Sequence, residues 1–338
     1  MYSLLSPMVL DLLYVAVFDS APIVPPSFGN YNRKFCRILG GVQRRESHEK
    51  EKTFKNLLTF PLLEGVCWMQ NRGPGTSGAG KKGRGMISTS VMVLMGVLAA
   101  LTALAPLGVM VFLRRRGGRW GEFLIGAGTF FIFALMLEPA VHRLVLGGAL
   151  GAAIQGNIWF YGLYGGLMAG LFEETGRFIA FKVFLKKRRE PVTALSYGIG
   201  HGGCEAFLLL GLTYISNLVL LASVNGGAEV PAEIMTGLES LAAVPAGVFL
   251  WAGFERLSAM VFHMACSVLV FAAVSRPGKL WMFPAAILAH AALDFIAVTA
   301  NARLPVAATE FLVAAFAAGA ALMAARVYKN LGKSAEIS

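Results

Sequence analysis

Residues 159–185 read WFYGLYGGLMAGLFEETGRFIAFKVFL, and the charges inside this apolar run decide the fold. About 20 apolar residues suffice to cross the hydrocarbon core of a bilayer. This run is long enough, yet it holds Glu173, Glu174 and Arg177 in its middle. The combination recurs downstream: His201 and Glu205 lie in the next run, His263 in a third, and His290 with Asp294 in a fourth. An ionised side chain at the bilayer centre costs roughly 2.5–3.5 kcal/mol on insertion scales, so the five charged groups carry a gross penalty on the order of 10 kcal/mol. Helices with a purely structural purpose avoid such groups. A functional site inside the membrane is the reading that follows.

Composition agrees. The 338 residues are 56% hydrophobic and 14% charged, with a mean hydropathy of +0.64, which excludes an ordinary soluble domain. Seven spans are expected, Ile87–Leu113, Phe123–Leu144, Trp159–Leu185, Val192–Leu221, Ala246–Val274, Leu280–Ala300 and Thr309–Val327, forming an all-α polytopic bundle. Basic residues follow the first, third, fifth and seventh of them: Arg114, Arg115, Arg116 and Arg119, then Lys186 to Arg189, then Arg276 and Lys279, then Arg326, Lys329 and Lys333. The alternate connections hold only Arg143 and Arg303. The positive-inside rule then puts the C-terminus in the cytoplasm and the start of the first span outside, in a bacterial-type plasma membrane. Cys204 and Cys266 fall within spans and no CxxC occurs, so neither a disulfide framework nor a zinc ribbon is indicated.

The first 85 residues stand apart. They hold 12 of the 30 Lys and Arg and 6 of the 19 Asp and Glu, a net +6 of the total +11. So basic a tail belongs in the cytoplasm, against the orientation just derived. The reading adopted is an extension (1–85), poorly ordered or not native, ahead of a transmembrane domain (86–338) beginning at Met86. Within it, Gly75–Lys82 reads GTSGAGKK, close to a phosphate-binding loop. It ends in Lys where Ser or Thr is needed and follows no strand, so a flexible linker is the better reading. No nucleic-acid partner is expected.

The polar residues share one depth. At about 1.5 Å per helical residue, Glu173 lies roughly 20 Å above Lys186, His201 about 18 Å from Arg189, His263 roughly 20 Å from Arg276 and His290 about 16 Å from Lys279. Glu173 and Arg177, His201 and Glu205, and His290 and Asp294 are each i, i+4 and so share a helix face. Gly162, Gly166 and Gly170 lead to Glu174, and Gly165 with Ala169 leads to Glu173; such small-residue rows let helices approach closely in lipid. Glycines 198, 200, 202 and 203 surround His201, a density expected to loosen the helix there. The plain alternatives are a packing ion pair at Glu173/Arg177 and a core histidine at His263. Glu138 with His142, and Glu255 with Arg256, are read as interfacial or helix-end pairs.

A carboxylate beside histidines in a small polar cavity can activate water while other donors hold an oxyanion, which makes peptide hydrolysis the natural reaction class. No HExxH and no intramembrane Asp pair occurs, and Ser196 has no histidine at a depth to serve it. Glu173-Glu174-x-x-Arg177, Tyr197-xxx-His201 and His290-xxx-Asp294 on successive helices resemble the CAAX-protease and bacteriocin-processing superfamily, whose pattern is EExxxR, FxxxH and HxxxN/D. Gly200–Glu205 (GHGGCE) and Glu255–His263 (ERLSAMVFH) resemble its YhfC family of intramembrane proteases. The resemblance covers Met86 to about Lys333. The Arg spacing is nearer the EExxK of the PrsW branch, and Tyr197 replaces Phe. It implies that Glu173 activates water with His201, that His290 and Asp294 stabilise the oxyanion, and that Glu174 and Arg177 support Glu173. Glu205 and His263, the latter extra to the superfamily pattern, are read as further supporting residues.

A metal-independent glutamic mechanism is preferred, zinc on Glu173, His201, His263 and His290 being the alternative. The substrate expected is a membrane-embedded or lipidated peptide, with membrane lipid around the bundle. Other functions for the same residues are a non-catalytic scaffold of this fold and a proton-coupled transporter.

Overall fold

The computed structural model describes residues 88–335. The reading of residues 1–85 and the start at Met86 lie outside that range. Lipid leaves no partner for an open backbone, so a chain this apolar must satisfy its amides within helices. The described residues form nine helices and no strand. These are α1 (Thr89–Arg114), α2 (Trp120–Leu146), the short α3 (Gly151–Gln155), α4 (Ile158–Ile179, continued by a π turn Ala180–Phe184), α5 (Val192–Asn225), α6 (Ala232–Ala242), α7 (Ala246–Ser275), α8 (Met282–Asn301) and α9 (Val306–Ala335). Local chemistry marks several ends. Ser88 caps α1 and Asn157 caps α4 through their side-chain oxygens, while Gly117 and Gly278, at positive φ, follow α1 and α7.

Six helices, α1, α2, α5, α7, α8 and α9, are long and apolar enough to cross a membrane. The seventh expected span is α4, of similar length but with Glu173, Glu174, Arg177 and Lys182 along it. A bundle of about seven helices in a membrane results. Helix α7 is its axis: 78% of its apolar window is buried, against 17–33% for the other five.

Glycine sets how closely the other helices approach. A Cβ on Gly166 would stand 2.4 Å from the Ala291 carbonyl oxygen, and one on Gly170 would stand 2.6 Å from that of Ile287, so this row clamps α4 on α8. The second row behaves differently, for Gly165 has nothing within 4 Å. Around His201 the glycines serve three neighbours. Gly198 and Gly202 meet α7 at the Cα atoms of Met264 and Met260, Gly200 meets the Phe123 carbonyl of α2, and Gly203 meets the ring of Pro106 in α1. They do not loosen the helix as expected. Residues Val192–Ala206 are regular α-helix, and the irregular π turn comes later, at Phe207–Gly211.

The packing makes a paired prediction. In Gly200→Ala the new Cβ would lie 2.0 Å from the Phe123 oxygen, forcing α2 from α5 at a cost of about 1–3 kcal/mol. The thermal unfolding midpoint in detergent should fall. Gly165→Ala, in open space, should leave it unchanged or raise it slightly.

Candidate active site

Four helices deliver their polar groups to one point. Glu173 of α4 is buried and its Oε2 lies 2.8 Å from His201 Nε2 of α5. The same oxygen is 3.8 Å from His263 Nδ1 of α7, and Oε1 is 4.0 Å from His290 Nε2 of α8. The His201 and His263 rings lie 4.8 Å apart, and those of His263 and His290 5.3 Å. The common depth read from flanking charges is thus a real meeting place.

Two ionic networks flank Glu173. In the first, Arg177 Nη1 donates to both oxygens of Glu174 at 2.7 Å, and His290 Nδ1 lies 2.9 Å from Glu174 Oε1. Glu174 and Arg177 have no exposed surface. The i, i+4 reading paired Arg177 with Glu173, but the guanidinium takes Glu174 at i, i+3. Both separations bring helical side chains together, and Nη1 goes to the two oxygens of the carboxylate beside His290. In the second network, His263 Nε2 is 2.6 Å from Glu205 Oε2, and Arg256 Nη1 donates to Glu205 Oε1 at 2.6 Å. Arg256 also clasps Glu255. Glu205 therefore serves α7 and not His201 one turn before it. Glu255 and Arg256 do not form a mere helix-end pair, since Arg256 reaches across to α5. The networks touch where Arg177 Nη2 lies 3.1 Å from His263 Nδ1.

Asp294 sits at the open side. Its side chain is 34% exposed and its Oδ2 is 3.7 Å from His290 Nε2. Phe130 and Phe262 pack edge-on against His201 and His290 and line the site with apolar surface. Glu138 and His142 do pair, at 3.1 Å, but Glu138 is buried and His142 Nδ1 lies 2.9 Å from Tyr164 Oη of α4, so the pair braces helices. The site reading missed Arg256, whose i, i+7 spacing to His263 puts both on one face of α7. Outside the site, Glu122, buried on α2, accepts from Thr193 Oγ1 at 3.0 Å.

Glu173, His201 and His263 each offer one ligand atom, all within 4.8 Å of one another and buried. Two imidazoles and a carboxylate are the donor set of a class of catalytic zinc sites. Glu205 on the far nitrogen of His263 is the carboxylate partner that ligating histidines keep, and it turns Nδ1 inward, where Arg177 Nη2 also reaches it at 3.1 Å. The residues fit a divalent ion. His290 stands outside the trio, with its Nδ1 on Glu174 and its Nε2 4.0 Å from Glu173 Oε1.

Comparison with known proteins agrees with this setting. Residues 101–317 match the family model described as YhfC intramembrane metalloprotease. A similar protein is the "Uncharacterized membrane protein YhfC" of Bacillus subtilis (strain 168), 35% identical over 246 residues, which are 69% of this chain and 95% of that one. No solved structure matches.

The buried pair predicts a thermodynamic cycle. Arg177→Met strands Glu174 without a counter-ion and should cost about 3–5 kcal/mol. Adding Glu174→Gln to it should recover roughly half or more of the loss, read as unfolding midpoints of the single and double variants in detergent.

Proposed function

Since the chain belongs to the YhfC family, we propose that it is an intramembrane endopeptidase hydrolysing peptide bonds of membrane-embedded or lipidated substrates at Glu173, His201 and His263. The observation that carries this reading is the Glu173 carboxylate, buried among three histidines of three other helices, 2.8 Å from the nearest. In this reading Glu173, His201 and His263 hold a divalent ion of zinc type. When bound, such an ion polarises a scissile carbonyl and provides hydroxide at neutral pH.

The chain's own residues do the rest. Glu205, fixed by Arg256, holds His263 with Nδ1 turned inward. Arg177 and Glu174 neutralise each other and anchor His290 by Nδ1, leaving its Nε2 aimed at the space between Glu173 and Asp294. There His290 Nε2 can donate to an oxyanion or return a proton to the leaving amine, with Asp294 as its exchange partner at the exposed side. The open row at Gly165 offers the approach for a substrate helix or strand.

A metal-free glutamic mechanism is the second reading, favoured by the contact of Arg177 Nη2 with His263 Nδ1, the lone pair an ion would use. In it Glu173 takes the water's proton, with His201 as its partner. The EExxR, YxxxH and HxxxD motifs support placing the family within the CAAX-protease superfamily. The basic connections support a cytoplasmic C-terminus, and the Bacillus subtilis relative supports a bacterial-type plasma membrane. No nucleic-acid partner enters this reading.

Purified wild type, Glu173→Ala and His201→Ala should be incubated with a membrane-protein pool. Both variants should lose every cut product, by about 10²–10⁴-fold in rate. Unchanged cleavage, or none by wild type, would leave the scaffold or transporter reading. Metal analysis of the wild type and treatment with phenanthroline separate the two mechanisms: the metal reading expects one bound ion per chain and loss of activity with the chelator.

The Arg256 tie gives a further expectation. Arg256→Gln frees Glu205 and should lower cleavage by about 10–100-fold, as loss of a ligand's orienting partner does. Arg256→Lys should restore part of it, whereas an unchanged rate in Arg256→Gln would remove Arg256 from the machinery.

A further inference from the structure

One cluster of charge takes no part in the site. Where α4 ends in its π turn and the chain turns to α5, Lys182, Lys186, Arg188 and Arg189 line a cavity of about 160 Å³ against α7. Its floor is apolar: Phe181 and Phe271 are buried and meet edge-on at 5.4 Å, with Leu185 beside them. No carboxylate lines it, and among the described residues only Arg188 of the four cations has a carboxylate oxygen within 4.0 Å, that of Glu122 at 3.8 Å. Four cations around one hollow repel one another unless an anion sits between them.

We propose that this hollow binds the phosphodiester headgroup of an anionic membrane lipid. Its size decides between ligand classes. The volume is about five times the ~30 Å³ a water takes up in the liquid, room for a phosphate and its ester oxygens. It falls short of the roughly 300–1,000 Å³ of pockets for larger small molecules. Its setting decides between a lipid and a free ion. Val183 and Phe184, which follow Lys182 along the helix but lie outside the cavity lining, are 52% and 69% exposed and add bare apolar surface on the same turn. A cationic rim, an aromatic floor and an adjoining exposed hydrocarbon face together match a headgroup with its acyl chain attached. Basic pockets between membrane helices hold headgroups in this way.

The alternative is that these cations only obey the positive-inside bias, as Arg115, Arg116 and Arg326 also do. Two triple variants of equal charge loss separate the readings. The pocket variant is Lys182→Gln/Lys186→Gln/Arg189→Gln; Arg188 is kept because it faces buried Glu122. The control is Arg115→Gln/Arg116→Gln/Arg326→Gln, whose residues lie outside the cavity. The full chain is exchanged into nanodiscs of mixed phosphatidylglycerol and phosphatidylcholine, extracted in mild detergent and examined by native mass spectrometry.

Wild type and control should retain one phosphatidylglycerol, and the pocket variant should lose at least about tenfold of that occupancy, a difference of about 1.4 kcal/mol. Millimolar inorganic phosphate should not displace the lipid. Equal loss in both variants, equal retention in both, absence of the adduct from wild type, or its displacement by phosphate would each overturn the proposal.

Discussion

The structure depends on one ionic contact made where water is absent. Arg177 and Glu174 have no exposed surface and are joined by two hydrogen bonds of 2.7 Å. In hydrocarbon neither charge could stand alone, and no external solvent can relieve a misplaced partner. The pair therefore fixes more than a stability term. It orients His290 through Glu174 and touches His263 through the second guanidinium nitrogen. Three helices are set in rotation about their axes by a fork only a few ångströms wide.

Such a fork works only if the backbones are already close. Without a hydrophobic force between helices in lipid, approach rests on van der Waals contact, and side-chain bulk limits it. Gly166 and Gly170 let α4 rest on the carbonyls of α8, and Gly200 lets α5 rest on α2. Residues of no chemical capacity thus decide whether Glu173 and His201 stand at 2.8 Å or out of reach.

This division explains what the sequence reveals. The seven spans, the common depth of Glu173, His201, His263 and His290, and the clamp at Gly166 all follow from counting along single helices. Depth depends only on rise per residue, which is nearly constant. What the sequence hides are choices between helices. Arg177 could take Glu173 or Glu174 by spacing alone, and the answer depends on α8, 116 residues after Glu174. Arg256 looked like an end of α7 because its partner Glu205 lies 51 residues earlier, on α5. Its seven-residue separation from His263 was the one signal on its own helix. The π turns at Phe133–Leu137 and Phe207–Gly211 leave no compositional mark, yet each shifts the rotation of everything after it.

The two networks also explain why the proposed chemistry centres on Glu173. Glu174 is matched by Arg177, and Glu205 by Arg256, so each of these carboxylates has a dedicated guanidinium. Glu173 has none. Its neighbours are imidazoles, groups that bind or release a proton or an ion without a change of fold. A buried carboxylate compensated only by such partners is a place where charge can come and go, while the paired acids on either side hold the frame still. Glu138, held by His142 alone, shows that one imidazole suffices to brace a buried acid; Glu173 differs in facing three, from three other helices.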